Sequence, residues 1–215
     1  MRTALACACL TYPLGAGAVS LDQLDDFENG TTQGWFVGAP HPAPPANVAG
    51  GGPAGFDDNY LLLTAIGGSA AGSRLATFNT GQWSGDFNGA GVTAIAMDLD
   101  NLGASDLSLR VAFVNSTSTA ISTLAISLPA SSDWTSVAFP IAPGDLTALS
   151  GDILSALSDT VELRLLHATA LTFPGEPIVA GLGVDNIRAV PEPSSSALVG
   201  LGILAWLRSR RPRRS

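Results

Sequence analysis

The side chains of this chain that could do chemistry are mostly carboxylates and aromatic rings. The chain has 215 residues, no lysine and two histidines, His41 and His167, and neither histidine lies in a G-x-S-x-G or H-E-x-x-H context. Adjacent acids such as Asp57 and Asp58 would point to opposite faces of a strand. Glycoside hydrolysis instead needs two carboxyl groups that face each other about 5 to 9.5 Å apart. The sequence therefore predicts a non-catalytic protein, and a secreted polysaccharide-acting hydrolase is the alternative left open.

Two oxygen-rich turns predict a calcium site. Residues 25–30 read Asp-Asp-Phe-Glu-Asn-Gly, and residues 183–187 read Gly-Val-Asp-Asn-Ile. The first and last strands of a closed sandwich commonly lie together, and calcium takes about six to eight oxygen ligands. The predicted ligands are Asp26, Glu28 and Asp185. The alternative is that Asp26 and Asp185 only hydrogen-bond backbone amides in turns.

Aromatic rings are the candidates for contact with a sugar. Trp83 lies in the turn-rich stretch Thr-Gly-Gln-Trp-Ser-Gly-Asp, and Tyr60 and Trp35 adjoin loops rich in glycine and proline. An exposed ring face on such a loop can stack on a sugar, whereas the ordinary role of a large aromatic ring is packing in the core. Trp83, Tyr60 and Trp35 are the predicted ligand contacts, with Trp83 first.

The spacing of apolar residues along the body predicts strands. Residues 107–113 alternate large apolar side chains with small or charged ones, which is the period of a strand with one buried face. Residues 39–55 are too rich in proline and glycine for a regular element, and residues 145–159 alone look helical. The predicted strands cover residues 21–27, 35–37, 59–66, 73–79, 92–99, 107–115, 121–128, 134–141, 161–168 and 179–190. This pattern predicts an all-β domain over residues 21–189, an antiparallel jelly-roll β-sandwich with a short helical insert.

The charge of that body excludes one class of partner. Between residues 18 and 191 there are seventeen acidic residues and four arginines, a net charge of −13. Nucleic-acid binding needs a basic surface, so no nucleic-acid partner is expected. Both cysteines, Cys7 and Cys9, precede the body, so a mature domain without them has no disulfide.

Both ends of the chain look like export signals. Arg2, the apolar stretch at residues 4–10 and Ala-Gly-Ala at residues 16–18 predict a signal peptide over residues 1–18.

At the other end, the apolar residues 197–207 follow a proline-rich break and precede an arginine-rich tail. An eleven-residue helix rises only about 16 Å against a hydrocarbon core of about 30 Å, so a temporary transmembrane anchor is predicted, with a permanent tail anchor as the alternative.

The C-terminal stretch resembles the PEP-CTERM sorting signal of exported bacterial proteins. The resemblance covers residues 190–215, and the residues that carry it are Pro191, Glu192, Pro193, Arg208, Arg210 and Arg211. It implies recognition and removal of the tail by a membrane-embedded exosortase, in organisms that make exopolysaccharide. The expected location is the cell envelope or the extracellular space.

The body resembles the galactose-binding-like β-sandwiches, which include carbohydrate-binding modules and the laminin B-type domain. The matching positions are Glu28 and Asp185, with the glycine-rich approach to a strand at residues 51–61. This resemblance implies a sandwich with a structural calcium ion and a glycan ligand, and the sorting signal makes exopolysaccharide the expected glycan. A purely structural or adhesive matrix component is the third class that the sequence allows.

Overall fold

The computed structural model describes residues 18–191, which form two antiparallel β-sheets packed face to face. The strands are β1 Leu24–Asp25, β2 Ala46–Val48, β3 Tyr60–Ile66, β4 Ala76–Asn79, β5 Ala94–Asn101, β6 Leu107–Val114, β7 Thr119–Ser122, β8 Ile126–Leu128, β9 Thr135–Pro140, β10 Leu146–Ser150, β11 Glu162–His167 and β12 Val179–Val190. One helix, α1, spans Ile153–Ser158, and 3-10 turns span Ala71–Ser73 and Pro143–Asp145. The predicted all-β sandwich with a short helical insert is confirmed.

Each sheet has six strands. Sheet A has the order β2-β3-β12-β5-β9, with β1 also paired to β12, and sheet B has the order β10-β7-β6-β11-β4, with β8 also paired to β6. The first and last strands of the domain lie side by side, with Leu24 opposite Arg188 and Asp25 opposite Ile187. Closure of the sandwich therefore joins the two ends of the body, as the sequence predicted.

Period-two alternation builds the core between the sheets. In β5 the side chains of Ile95, Met97 and Leu99 point inward, and their neighbours in the strand are only partly buried. The largest rings of this core are Trp35, Trp83, Phe27, Phe87, Phe113 and Phe139, all with at most 2% exposure.

A second, smaller apolar cluster lies on the outer face of sheet B. Its buried residues are Ala76, Ala112, Ile121, Leu166 and Ala168. Part of it is covered by the segment 169–176, where Gly175 sits close to the side chain of Leu166. The Glu176 carboxylate accepts hydrogen bonds from Thr169, Ala170 and Thr172, and those bonds lower its pKa to about 2. An ionised Glu176 thus links the two ends of this segment through hydrogen bonds.

Several predicted element boundaries were wrong. Residues 145–159 are mostly strand β10 and the short helix α1, because Gly151, at a φ of 63°, turns the chain between them. The predicted strand 35–37 is a single bridge from Phe36 to Phe78. The predicted turn 183–187 lies inside β12 as a bulge at Asn186, whose φ is 51°.

The predicted terminal segments fall outside the described residues. The signal peptide, apart from Ala18, and the apolar stretch 197–207 are among them. Within residues 18–191, no helix is long and apolar enough to span a membrane.

Candidate functional site

Two of the three predicted sugar contacts are core residues. Trp83 is fully buried and Trp35 is 2% exposed, with ring centroids 6.2 Å apart. Each indole N–H donates a 2.7 Å hydrogen bond to Oδ2 of Asp25. Neither ring is exposed enough to be a platform for a sugar, so the prediction of Trp83 as a ligand contact was wrong, whereas Trp35 still lines a cavity.

Asp25, which holds the two tryptophans, was not singled out from the sequence. It is 3% exposed and also accepts a hydrogen bond from Gln82 Nε2 at 3.1 Å. Burial raises the pKa of Asp25, although the hydrogen bonds from Trp83, Trp35 and Gln82 oppose that shift. A sequence signal was present, since an inward-facing carboxylate in a sandwich needs buried donors and the indole N–H groups are such donors.

Tyr60, the third predicted contact, lies on the outer face of sheet A beside a row of carboxylates. Asp185 pairs with Asp98 across β12 and β5, and the register of β12 with β3 places Asp185 beside Tyr60. We call Tyr60, Asp98, Asp100, Trp134 and Asp185 the acidic face.

Asp185 is the most perturbed carboxyl group of the acidic face. It is 1% exposed and accepts hydrogen bonds from the backbone N–H of Asn186 at 2.7 Å and from its side-chain amide at 3.2 Å. Burial raises the pKa of Asp185 to about 7, and the negative charges of Asp58, Asp98 and Glu28 add to the shift. Ionisation of Asp185 is therefore costly unless a cation lies close to the carboxylate.

The predicted metal residues are only partly brought together. Glu28 is near enough to act electrostatically on Asp185, but its Oε1 accepts the backbone N–H of Asn59 at 2.6 Å. Asp26 accepts the N–H of Glu28 at 3.3 Å, as a turn residue would. Among residues 18–191, no three His, Cys, Asp or Glu side chains are grouped so as to hold a metal ion. A cation here would need backbone carbonyl oxygens in addition to Glu28 and Asp185.

Trp134 covers part of the acidic face. Its ring meets Tyr60 edge-on at 5.3 Å and lies over Gly183, where a Cβ atom would come within 2.9 Å of the indole. Its Nε1 donates to the carbonyl of Gly51 at 3.0 Å. Burial and the nearby Asp100 raise the pKa of Tyr60, which keeps its hydroxyl protonated.

The outer face of sheet B carries a different feature, a stack of three phenylalanines and one arginine. Phe36 and Phe78 have ring centroids 4.1 Å apart, and the Arg164 guanidinium lies 4.7 Å from the Phe78 ring and 4.5 Å from the Phe173 ring. Phe36 is 41% exposed and Phe173 is 36% exposed. We call Phe36, Phe78, Arg164 and Phe173 the aromatic stack.

Strand register produces the aromatic stack. Phe36 bridges to Phe78, and Phe78 pairs with Arg164 across β4 and β11, so the three side chains share one outward row. Glu162 holds the guanidinium in place through a 2.6 Å ion pair, while burial lowers the pKa of Arg164. The result is an apolar, partly exposed ridge with a fixed charge at its centre, which suits contact with the C–H face of a sugar ring.

Solved structures with a similar fold include a carbohydrate-binding module and an agarase. The chain aligns with the family 11 carbohydrate-binding module of a cellulosomal cellulase of Clostridium thermocellum at 18% identity and a TM-score of 0.51, over 81% of this chain and 96% of that module. It also aligns with an exo-beta-agarase at 15% identity and a TM-score of 0.56, over 81% of this chain but only 26% of the agarase. The fold is that of a carbohydrate-binding-module-like β-sandwich.

The C-terminal residues identify the route that the protein takes. Residues 189–214 match the PEP-CTERM protein-sorting motif, which confirms the predicted sorting signal. The protein is therefore exported and processed at the cell envelope. No curated protein sequence matches the chain.

Proposed function

We propose that the protein is a non-catalytic, exported carbohydrate-binding protein that holds a polysaccharide of the cell surface or matrix. The observation that carries the proposal is the aromatic stack, half-exposed on sheet B of a carbohydrate-binding-module-like sandwich. The polysaccharide that we propose as ligand is exopolysaccharide, and the proposed partner is an exosortase-type membrane protease that processes the PEP-CTERM tail.

The state of the acidic carboxylates supports a role without catalysis. Asp185 has a pKa suited to a general acid, but it is 1% exposed and both its oxygens accept hydrogen bonds from Asn186. A glycosidic oxygen could not approach within hydrogen-bonding distance of such a group without rearrangement of β12. The fold likeness to an exo-beta-agarase covers about a quarter of that chain at 15% identity, so it is a likeness of fold alone.

Removal of the exposed rings tests the proposal. Phe36→Ala and Phe173→Ala should each reduce retention on the host polysaccharide about fivefold or more, since a sugar ring stacked on an aromatic face contributes about 1 kcal/mol or more. Phe56→Ala is the matched control, because Phe56 is 91% exposed and takes no part in the stack. Equal retention by all three variants, or none by the unaltered protein, would refute binding at the aromatic stack. Release of reducing ends from the polysaccharide would instead support the hydrolase.

Calcium at Glu28 and Asp185 remains part of the proposal as a stabiliser of the fold. The support is electrostatic, since four carboxylates (Glu28, Asp58, Asp98 and Asp185) crowd the buried end of the acidic face. A divalent cation would offset their repulsion and favour the ionised form of Asp185.

A further inference from the structure

An open cavity beside the aromatic stack is lined by one short stretch of the chain, residues 32–45. It measures about 290 Å³, and its wall includes Trp35, Phe36, Val37, Pro44 and Pro45. Phe36 belongs to both the cavity and the aromatic stack, so a chain laid along the stack passes the cavity mouth. Ligand pockets for whole small molecules run from about 300 to 1,000 Å³, so this cavity has room for one sugar residue or a substituent.

The chemistry of the wall selects an uncharged, apolar group. The polar side chains that line the cavity are Thr32 and His41, and none of its lining residues is acidic or an arginine. Trp35 contributes only ring carbon, because its N–H is bound to Asp25. A hydroxymethyl group buried here would lose hydrogen bonds to water, whereas a methyl group would not.

Close backbone contacts and several prolines fix the segment that carries this wall. The backbone of residues 38–41 rests directly on Gly72, where a Cβ atom would overlap the carbonyl oxygens of Gly38 and Pro40 and come within 2.9 Å of the Cα of His41. Gly38 in turn approaches Ala71 so closely that a Cβ atom there would lie 2.6 Å from the Ala71 methyl group. A wall fixed by such contacts reduces the ordering cost of binding.

The domain charge argues against an acidic sugar as the occupant. Seventeen acidic residues against four arginines give residues 18–191 a net charge of −13, which repels a uronate or sulfated chain. We propose, building on the proposed function, that the cavity is a subsite for a neutral sugar bearing a methyl group. The methyl group is that of a 6-deoxyhexose or of an O-acetyl substituent.

Matched sugars test the proposal on the full domain. L-Fucose and L-galactose differ only in the hydroxyl group at C6, and NMR titration should show L-fucose binding about tenfold more tightly, as expected for one methyl group in an apolar pocket. O-acetylated glucomannan and the same polymer after alkaline deacetylation form the second pair. A preference within the first pair assigns the 6-deoxy sugar, and a preference within the second assigns the acyl group.

Proline variants tie the preference to the cavity. The double substitution Pro44→Ala, Pro45→Ala should abolish the preference and keep binding of the unsubstituted ligand, while Pro42→Ala, in the same segment but outside the cavity wall, should change nothing. Binding that depends on Phe36 and Phe173 but shows no methyl preference overturns this inference and leaves the proposed function standing. Absence of binding to every ligand refutes both.

Discussion

At the scale of single residues, Asp25 anchors the two tryptophans of the core. One carboxylate satisfies both buried indole N–H groups, at 2.7 Å each, and joins β1 to the two largest rings of the core. Asp25→Ala would leave two buried donors unpaired at about 1 to 3 kcal/mol each, so the free energy of unfolding should fall by about 3 kcal/mol or more. Urea unfolding measures this loss.

The control for that substitution is Asp25→Asn, which keeps an oxygen able to accept from both indoles. It should cost less than Asp25→Ala. If the alanine and asparagine variants unfolded at the same urea concentration as the unaltered protein, the carboxylate would not be the anchor of Trp35 and Trp83.

Asp185 predicts how stability depends on pH. Its folded pKa of about 7 lies above the ordinary value of 3.8, so between these values the folded state holds a proton that the unfolded chain has lost. Stability contributed by this proton is present at low pH and is lost as pH rises towards 7. At about 1.4 kcal/mol per pKa unit, the loss amounts to about 4 kcal/mol in a protein without a bound cation.

Urea unfolding at pH 4.5 and 7.5 in excess chelator measures this loss, and Asp185→Asn should flatten the dependence. At pH 7.5, calcium at a hundred times its dissociation constant should restore about 2.7 kcal/mol to the unaltered protein and nothing to the variant. If neither calcium nor chelator changes the free energy of unfolding, there is no calcium site at Glu28 and Asp185.

The structure treats the predicted acids and the predicted aromatic rings differently, and the calcium site itself stays a prediction. Glu28 and Asp185 were predicted to act together, and the charge of Glu28 does contribute to the raised pKa of Asp185. Trp83 and Trp35 were placed at a ligand, because their turn-rich surroundings resemble a surface loop. The half-exposed rings are Phe36 and Phe173 instead, and their stack forms through pairing between distant strands and a covering segment, which no local pattern encodes.

At the scale of elements, the period-two pattern predicted the strands well, whereas the turns and short elements between strands were predicted less well. The alternation in β6 and β11 was clear because one face of each strand packs in the core. The leucines in residues 145–159 fit helical spacing as well as strand spacing, so the short window could not distinguish β10 followed by α1 from one helix.

The contact between residues 38–41 and Gly72 gives a prediction at this scale. Gly72→Ala would place a Cβ atom on the carbonyl oxygens of Gly38 and Pro40, and those are backbone atoms that cannot turn aside. The variant should displace the proline-rich wall and lose the methyl preference, while stability falls by about 1 to 3 kcal/mol, as overpacking usually costs. Binding and urea unfolding should be measured on the same sample.

Gly144→Ala is the matched control, because a Cβ atom there meets nothing within 4 Å. It should leave both binding and stability unchanged. If Gly72→Ala behaved like this control, the wall would not be held by its contact with Gly72.

At the scale of the whole molecule, the two sheets present different chemistry to the outside. Sheet A carries the acidic face, whose carboxylates crowd around Asp185. Sheet B carries the aromatic stack and three of the four arginines of residues 18–191, namely Arg74 near its edge, Arg110 and Arg164. The cation at the aromatic stack is already paired, because Arg164 lies 2.6 Å from Glu162, so sheet B offers an acidic sugar no unpaired positive charge there.

The end of the fold predicts where processing can occur. β12 ends at Val190, which pairs with Ala94 and whose carbonyl accepts the N–H of Thr93 at 2.9 Å, so the last strand is complete before Glu192. Cleavage near Pro191 removes no strand from either sheet, and a chain ending there should match the uncleaved protein in stability within about 0.5 kcal/mol. Mass spectrometry of the protein from its host surface should find a C-terminus near Pro191, and Glu192→Ala within the sorting motif should leave the tail attached. Surface protein that retains Arg213 and Arg214 would show instead that the apolar stretch 197–207 is a permanent anchor.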